Sequence, residues 1–174
     1  METMGTYLNV GSGQRPFEKP WINVDKQACW KPDVLWDAGN LLDPCPFEQE
    51  SADMIVLHHV AEHFGANECN ALIGQCHTIL RKGGSLIVTV PDMRALARRW
   101  LFGSLDTETY FINVYGAYMG DEADRHKFGF DTHTLTETLK KSAKWSEVKD
   151  FDNRPIPGAS IAADWWIFGK EAVK

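Results

Sequence analysis

No run of apolar residues in this 174-residue chain approaches the roughly 20 needed to cross a bilayer. The opening stretch, METMGTYLNV, lacks a basic segment followed by an apolar one, so the protein is expected to stay in the cytoplasm with no membrane partner. Four cysteines (Cys29, Cys45, Cys69 and Cys76) include no C-x-x-C pair. Without that tight ligand spacing no metal is expected, and the thiols read as reduced, some of them buried as small hydrophobes. Basic charge is in deficit: 18 Lys and Arg against 24 Asp and Glu leave a formal net charge of −6, which speaks against a chain built to coat nucleic acid. Repeats, low-complexity tracts and linkers are missing as well, so residues 1–174 are expected to form a single domain. At 44% hydrophobic and 24% charged the composition excludes wholesale disorder. Nothing in it fixes an oligomeric state.

What is present is a series of short apolar runs, each closing on polar or turn residues. Tyr7 to Val10 runs into Gly11-Ser12-Gly13, Trp21 to Val24 ends on Asp25, and Val34 to Trp36 ends on Asp37. Met54 to Leu57 ends on His58-His59, and Leu86 to Val90 ends on Pro91-Asp92. Near-continuous apolar runs of this length suit strands covered on both faces, as in parallel sheets, which bind ligands beyond their carboxyl ends. A helix is expected after an Asn67 cap, with Leu72, Ile73, Cys76, Ile79 and Leu80 on one face, Arg81 and Lys82 in its last turn and Gly83-Gly84 as its stop. Cys69 and Cys76 would share a face of it. Further helices are expected from Asp92, carrying Leu96 and Trp100, and from Asp131 or Thr132, carrying Leu135 and Leu139. Two final strands are expected, Trp145 to Phe151 and Trp165 to Phe168. Residues 103–130 hold Tyr110, Phe111, Tyr115, Tyr118, Met119, Phe128 and Phe130 without a clean period. They read as a lid over a pocket, as extra core, or as a dimer surface.

Gly11-Ser12-Gly13 after a strand is a weak sign by itself. A dinucleotide fingerprint needs a third glycine opening a helix that holds pyrophosphate, and here Pro16 stands in that place. Two prolines between Gly13 and the next strand leave no room for a long helix, which disfavours NAD and FAD. A ligand with an amino-acid end, a ribose and a base, but no phosphate, stays compatible. Asp25 can accept from ribose hydroxyls and Asp37 can stand beside a base.

Taken in order, LNVGSG, INVD, Asp37-Ala38, DPCPFEQESADMIVLHHVAEHF, LRKGGSLIVTVPD and HKFGFD resemble a class I S-adenosylmethionine-dependent methyltransferase. More narrowly they resemble small bacterial and phage members of the type 11 group, whose glycine loop and second strand are separated by a short Pro-containing segment. The resemblance implies an α/β, three-layer Rossmann-like fold with a mainly parallel seven-stranded sheet, the last strand antiparallel and the first crossover shortened. It implies S-adenosylmethionine as cofactor, with Gly11, Ser12 and Gly13 under its methionine part, Asp25 on its ribose, and Asp37 and Ala38 bordering its adenine. His58 falls where relatives often carry Ser or Asn beside the cofactor.

No Asn-Pro-Pro-Tyr or Asp-Pro-Pro-Tyr follows the fourth strand, which disfavours methylation of an exocyclic nitrogen. Cys45 precedes that strand and reads as a turn residue. Methyl transfer needs an added base only if the acceptor must lose a proton, and His59 and His126, with His58, are the candidates. Glu62-His63 reads either as a catalytic pair or as a buried structural histidine. The expected acceptor is the oxygen or nitrogen of a small or sugar-like molecule. Arg94, Arg98 and Arg99, on about one helix face, keep a nucleic-acid acceptor as the second reading, and a non-catalytic module of the same fold is the third.

Overall fold

The computed structural model describes residues 5–117, 122–152, 154–161 and 167–174. Its strands are β1 (Tyr7–Val10), β2 (Ile22–Asp25), β3 (Val34–Leu35), β4 (Ala52–His58), β5 (Leu80–Pro91), β6 (Glu147–Asp150) and β7 (Ile167–Val173). They form one seven-stranded sheet in the order β3-β2-β1-β4-β5-β7-β6. β1 to β5 pair in parallel, and β7 runs antiparallel to both of its neighbours. The helices are α1 (Ala66–Ile79), α2 (Met93–Leu101), α3 (Thr107–Tyr115) and α4 (Thr132–Ser142). Among the described residues no helix is long and apolar enough to cross a membrane.

The period-two alternation of a strand sends Ile55 and Leu57 to one face of the sheet and Val56 to the other. The first face packs with Leu8, Leu86 and Val88 against Leu72, Ile73 and Cys76 of α1 and Leu135 and Leu139 of α4. On the second face Val56 and Ile87 meet Phe17, Trp21 and Phe151. Cys69 and Cys76 are both buried from one side of α1, as their spacing predicts, and burial pushes each thiol up to about 12.

The link from β1 to β2 contains no helix, so its backbone polar groups need other partners. Asn23, 7% exposed in β2, supplies them. Its Oδ1 accepts from Phe17 N at 2.7 Å and from Asn9 Nδ2 at 2.9 Å. Its Nδ2 donates to Phe17 O at 3.0 Å and to Asp33 Oδ2 at 3.2 Å. Asn9 Nδ2 also reaches Arg15 O at 3.3 Å. Trp21 Nε1 donates to Pro157 O at 2.8 Å, fixing the ring that covers the second face.

Several boundaries differ from the sequence reading. α1 starts two residues early, on Gly65, whose N donates to Glu68 Oε2 at 2.9 Å, and Asn67 lies inside the helix. It stops at Ile79, because Glu50 N and Ser51 N take the carbonyls of Thr78 and Ile79. Arg81 and Lys82 therefore belong to β5, and Gly83, at φ +79°, makes a turn inside it. α3 was not expected. Asp106 caps it by accepting from Thr109 N at 2.8 Å, yet it buries no residue fully and so shows no apolar stripe in sequence. Tyr110 stacks on Trp100 of α2 at 4.6 Å. Asp92 and Asp131 cap α2 and α4 as expected. Tyr118, Met119, Asn153, Trp165 and Trp166 lie outside the described residues.

His58 closes β4 in a dry environment. It is 7% exposed, its Nδ1 lies 2.6 Å from Thr89 Oγ1, and its Nε2 has no hydrogen-bond partner. Burial, helped by the charges of His59 and Arg15 and opposed by Glu62, pushes its pKa down to about 4. Above its ordinary value of 6.5 the ring is neutral in both states and stability is complete. Between 6.5 and about 4 the unfolded chain takes up a proton that the fold refuses, so stability falls as pH falls.

Two outcomes follow for stability. Asn23→Leu, which strands several buried polar groups at once, should cost about 3 kcal/mol or more in urea unfolding. A change under about 1 kcal/mol would show that Asn23 does not hold the crossover. Between pH 7 and pH 4, His58→Asn should lose on the order of 3 kcal/mol less stability than the parent protein. Identical acid losses in the two proteins would remove His58 as their source.

Candidate active site

A cavity of about 580 Å³ opens beyond the carboxyl ends of β1, β2 and β4, as an open parallel sheet predicts. Its floor is the loop after β1. Gly11, at φ +74°, and Gly13, at φ +47°, adopt left-handed backbone. A Cβ on Gly11 would lie 2.5 Å from a methyl of Val60, so only glycine fits there. Gly11 N and Ser12 N donate to Val24 O at 2.8 and 3.0 Å. Asp25 fastens the far side of the loop, with Oδ2 accepting from Gly13 N and Oδ1 from Gln27 N, both at 2.8 Å. Asp25 is 8% exposed and lines the cavity. One oxygen of Asp37, which also lines it, accepts from Gly39 N at 3.2 Å, and Trp36 and Ala38 stand beside it.

The opposite wall comes from the end of β4. His59 sits at φ +56°, a region costly for any residue but glycine. Its N donates to Thr89 O at 3.0 Å, and its side chain lines the cavity. Three residues on, in a 3-10 turn over Ala61–His63, Glu62 accepts from His59 Nδ1 at 3.0 Å. Glu62 is 1% exposed, and its second oxygen has no hydrogen-bond partner. Burial raises its pKa, but the hydrogen bond from His59 and the charges of His59, His63 and His126 outweigh that, leaving a net lowering and a carboxylate at neutral pH. His63 lines the cavity with its Nδ1 buried and unpartnered. A third wall comes from far along the chain: Glu122, Ala123, Asp124 and Lys127. It is tied to the second by Lys127 N and Phe128 N, which donate to the Glu62 carbonyl at 2.8 and 3.1 Å.

The residues singled out in the sequence divide cleanly. Gly11, Gly13, Asp25, Asp37, Ala38 and His59 converge on the cavity. Ser12 is 6% exposed and does not line it. His58 does not line it: its Nδ1 lies beside Thr89 Oγ1, and its ring packs edge-on against that of His59 at 4.8 Å. His126 is also absent from the lining. Its Nδ1 donates to Asn113 O at 2.9 Å, its ring lies 4.8 Å from that of His63, and burial lowers its pKa. Tyr110, Phe111, Tyr115 and Phe128 do not line the cavity either; among the described residues, its lining from this part of the chain is Glu122, Ala123, Asp124 and Lys127. Arg94, Arg98 and Arg99 lie outside the lining. The sequence reading missed the pairing of His59 with Glu62, although the i, i+3 spacing was its visible sign. It also missed Trp30, Phe64 and Lys127, which no local pattern marks.

With this geometry in hand, residues 17–88 match the family described as a methyltransferase domain. No curated protein matches the chain. Among solved structures, a SAM-dependent methyltransferase from Archaeoglobus fulgidus superposes with a TM-score of 0.63 at 16% identity, over 98% of this chain and 86% of that one. A SAM-dependent methyltransferase from Thermotoga maritima, described as a possible histamine N-methyltransferase, gives 0.59 at 18% identity, over 100% and 84%. The 1,6-didemethyltoxoflavin-N1-methyltransferase of Burkholderia thailandensis, solved with 1,6-didemethyltoxoflavin and S-adenosylhomocysteine bound, gives 0.54 at 16% identity, over 98% and 71%. At such identities these likenesses speak for the fold, and the family match over residues 17–88 speaks for the kind of domain. The chain therefore has the fold of these S-adenosylmethionine-dependent methyltransferases, and its residues 17–88 resemble a methyltransferase domain.

Proposed function

We propose that this enzyme moves the methyl group of S-adenosylmethionine to an oxygen or nitrogen of a small-molecule acceptor, with both held in the 580 Å³ cavity. The observation that carries the reading is that one cavity joins the glycine loop and two strand-end carboxylates to a carboxylate-bound imidazole on the facing wall. Gly11 and Gly13 let the loop backbone approach the methionine part of the cofactor. Asp25 spends one lone pair of each oxygen on the loop and keeps the others for the two ribose hydroxyls. Asp37 and Ala38 border the adenine. The bound cofactor supplies a sulfonium methyl whose C–S bond breaks as the bond to the acceptor forms. Glu62 orients His59 through Nδ1, leaving Nε2 to take the acceptor's proton. Most of the remaining work is alignment. Glu122 and Asp124 on the third wall favour a small neutral or cationic acceptor over a polyanion such as nucleic acid.

Calorimetry should show S-adenosylhomocysteine binding and no heat with NAD, since the loop lacks a phosphate-holding helix. Binding of NAD alone would overturn the reading. Asp25→Ala should weaken the cofactor by about 1.5–3 kcal/mol, the range for hydrogen bonds to a charged group. An unchanged dissociation constant in a variant with a normal melting curve would refute the ribose assignment.

A further inference from the structure

We propose that Glu62, His63 and His126 form a binding site for one divalent transition-metal ion, zinc or a close chemical relative, in the wall of the cavity. Each side chain offers a ligand atom, and the three atoms lie within 4.8 Å of one another. Ligands around a tetrahedral zinc, at bonds of about 2.0–2.1 Å, stand roughly 3.4 Å apart, so small side-chain rotations close the set.

Three independent observations point to an ion. First, Glu62 Oε2 and His63 Nδ1 are both buried with no hydrogen-bond partner, and Glu62 is only 1% exposed. Buried polar atoms are rarely left so, and two from adjacent residues in one cluster call for a shared partner. Second, Glu62 makes its ion pair with His59 alone, while His63 and His126 stay beyond direct ion-pair reach of the carboxylate. That gap has room for an intervening atom. Third, the outer contacts are those of a ligand set. His126 donates its Nδ1–H to the Asn113 carbonyl at 2.9 Å, which fixes the tautomer with a lone pair on Nε2. His59 donates to the other oxygen of Glu62 at 3.0 Å, orienting the carboxylate.

Two imidazoles and one carboxylate suit zinc, cobalt, iron or manganese, and not magnesium or calcium, which prefer all-oxygen shells. The set skips the cysteines altogether, so their spacing carries no sign of it. Three protein ligands leave a coordination position open, and one of the three, His63, lines the cavity. Were an acceptor oxygen to reach that position, the ion would lower its pKa and His59 Nε2 would take the proton. This last step rests on the methyl-transfer reading; the binding of the ion does not.

The test uses tag-free protein with Cys29 and Cys45, both exposed, replaced by Ser so that surface thiols cannot bind the metal. After chelator treatment it is titrated with Zn²⁺ by calorimetry and with Co²⁺ by absorption. One ion per chain is expected, with Co²⁺ bands of nitrogen and oxygen ligation and no thiolate charge-transfer band. His126→Ala should weaken Zn²⁺ by at least about 100-fold, beyond the usual effect of losing an outer contact. Zn²⁺ should raise the melting temperature of the parent protein and leave that of His126→Ala unmoved. Absence of binding to the parent, equal affinity in His126→Ala, or a thiolate band would each overturn the site. The Co²⁺ spectrum of the parent decides even if the variant fails to fold. S-adenosylhomocysteine calorimetry on the stripped protein reports on the cofactor reading separately.

Discussion

The side chain of Asn23 holds the molecule's functional edge in place. All four of its hydrogen-bonding positions are engaged, two of them with the backbone of Phe17. In most doubly wound sheets a helix after the first strand satisfies its own backbone and covers one face. Here a single buried amide and two aromatic rings do both. Phe17 and Trp21 could not pack on Val56 and Ile87 unless the chain between the glycine loop and β2 were fixed, and Asn23 fixes it from the strand it leads into. The turn at Gly11-Ser12-Gly13 inherits its position from that clamp, because its amides bind Val24 O and Asp25, the next two residues of the same strand. Strand, clamp and glycine loop are one mechanical unit.

The facing wall follows a different principle. Glu62 is a carboxylate taken almost wholly out of water, which is unfavourable unless charge or hydrogen bonds compensate. Compensation comes from imidazoles: His59 by a direct hydrogen bond, with His63 and His126 close beside the carboxylate. His59, just ahead of the turn that buries Glu62, sits in left-handed backbone, and strain of that kind gathers where geometry is needed for chemistry. Its neighbour His58 goes the other way, into apolar packing where it stays neutral. Two adjacent histidines with touching rings thus differ because the chain leaves the strand between them: His58 ends β4, and His59 sits in left-handed backbone just beyond it.

How much of this could be read from the sequence depended on range. The strands were legible because buried parallel strands are continuous apolar runs, and Asp92 and Asp131 announced their helices through the chemistry of a cap. The floor of the site was legible because Gly11, Gly13, Asp25 and Asp37 each stand at a strand end. α3 was not legible: it buries nothing completely, so its aromatic residues follow no face. The start of α1 was misread because a glutamate reaching back to Gly65 is a weaker sign than an asparagine. The wall from 122 to 127 was invisible for a deeper reason. It meets the rest of the site some sixty residues away in sequence, through a backbone carbonyl, and backbone carbonyls carry no sequence signature.

That carbonyl has a kinetic meaning. Lys127 N and Phe128 N share one acceptor, the oxygen of Glu62, and among the described residues these are the backbone hydrogen bonds joining the 122–128 stretch to the turn after β4. Besides these two bonds the stretch is held by side chains, Phe128 against Phe130 at 4.9 Å and His126 against His63 at 4.8 Å, while Lys127 is exposed. None of these contacts belongs to the sheet's ladder, so opening of this flank costs less than global unfolding and leaves the strands paired. Amide exchange on this flank is then set by a local opening, and that of the strands beneath by opening of the whole core.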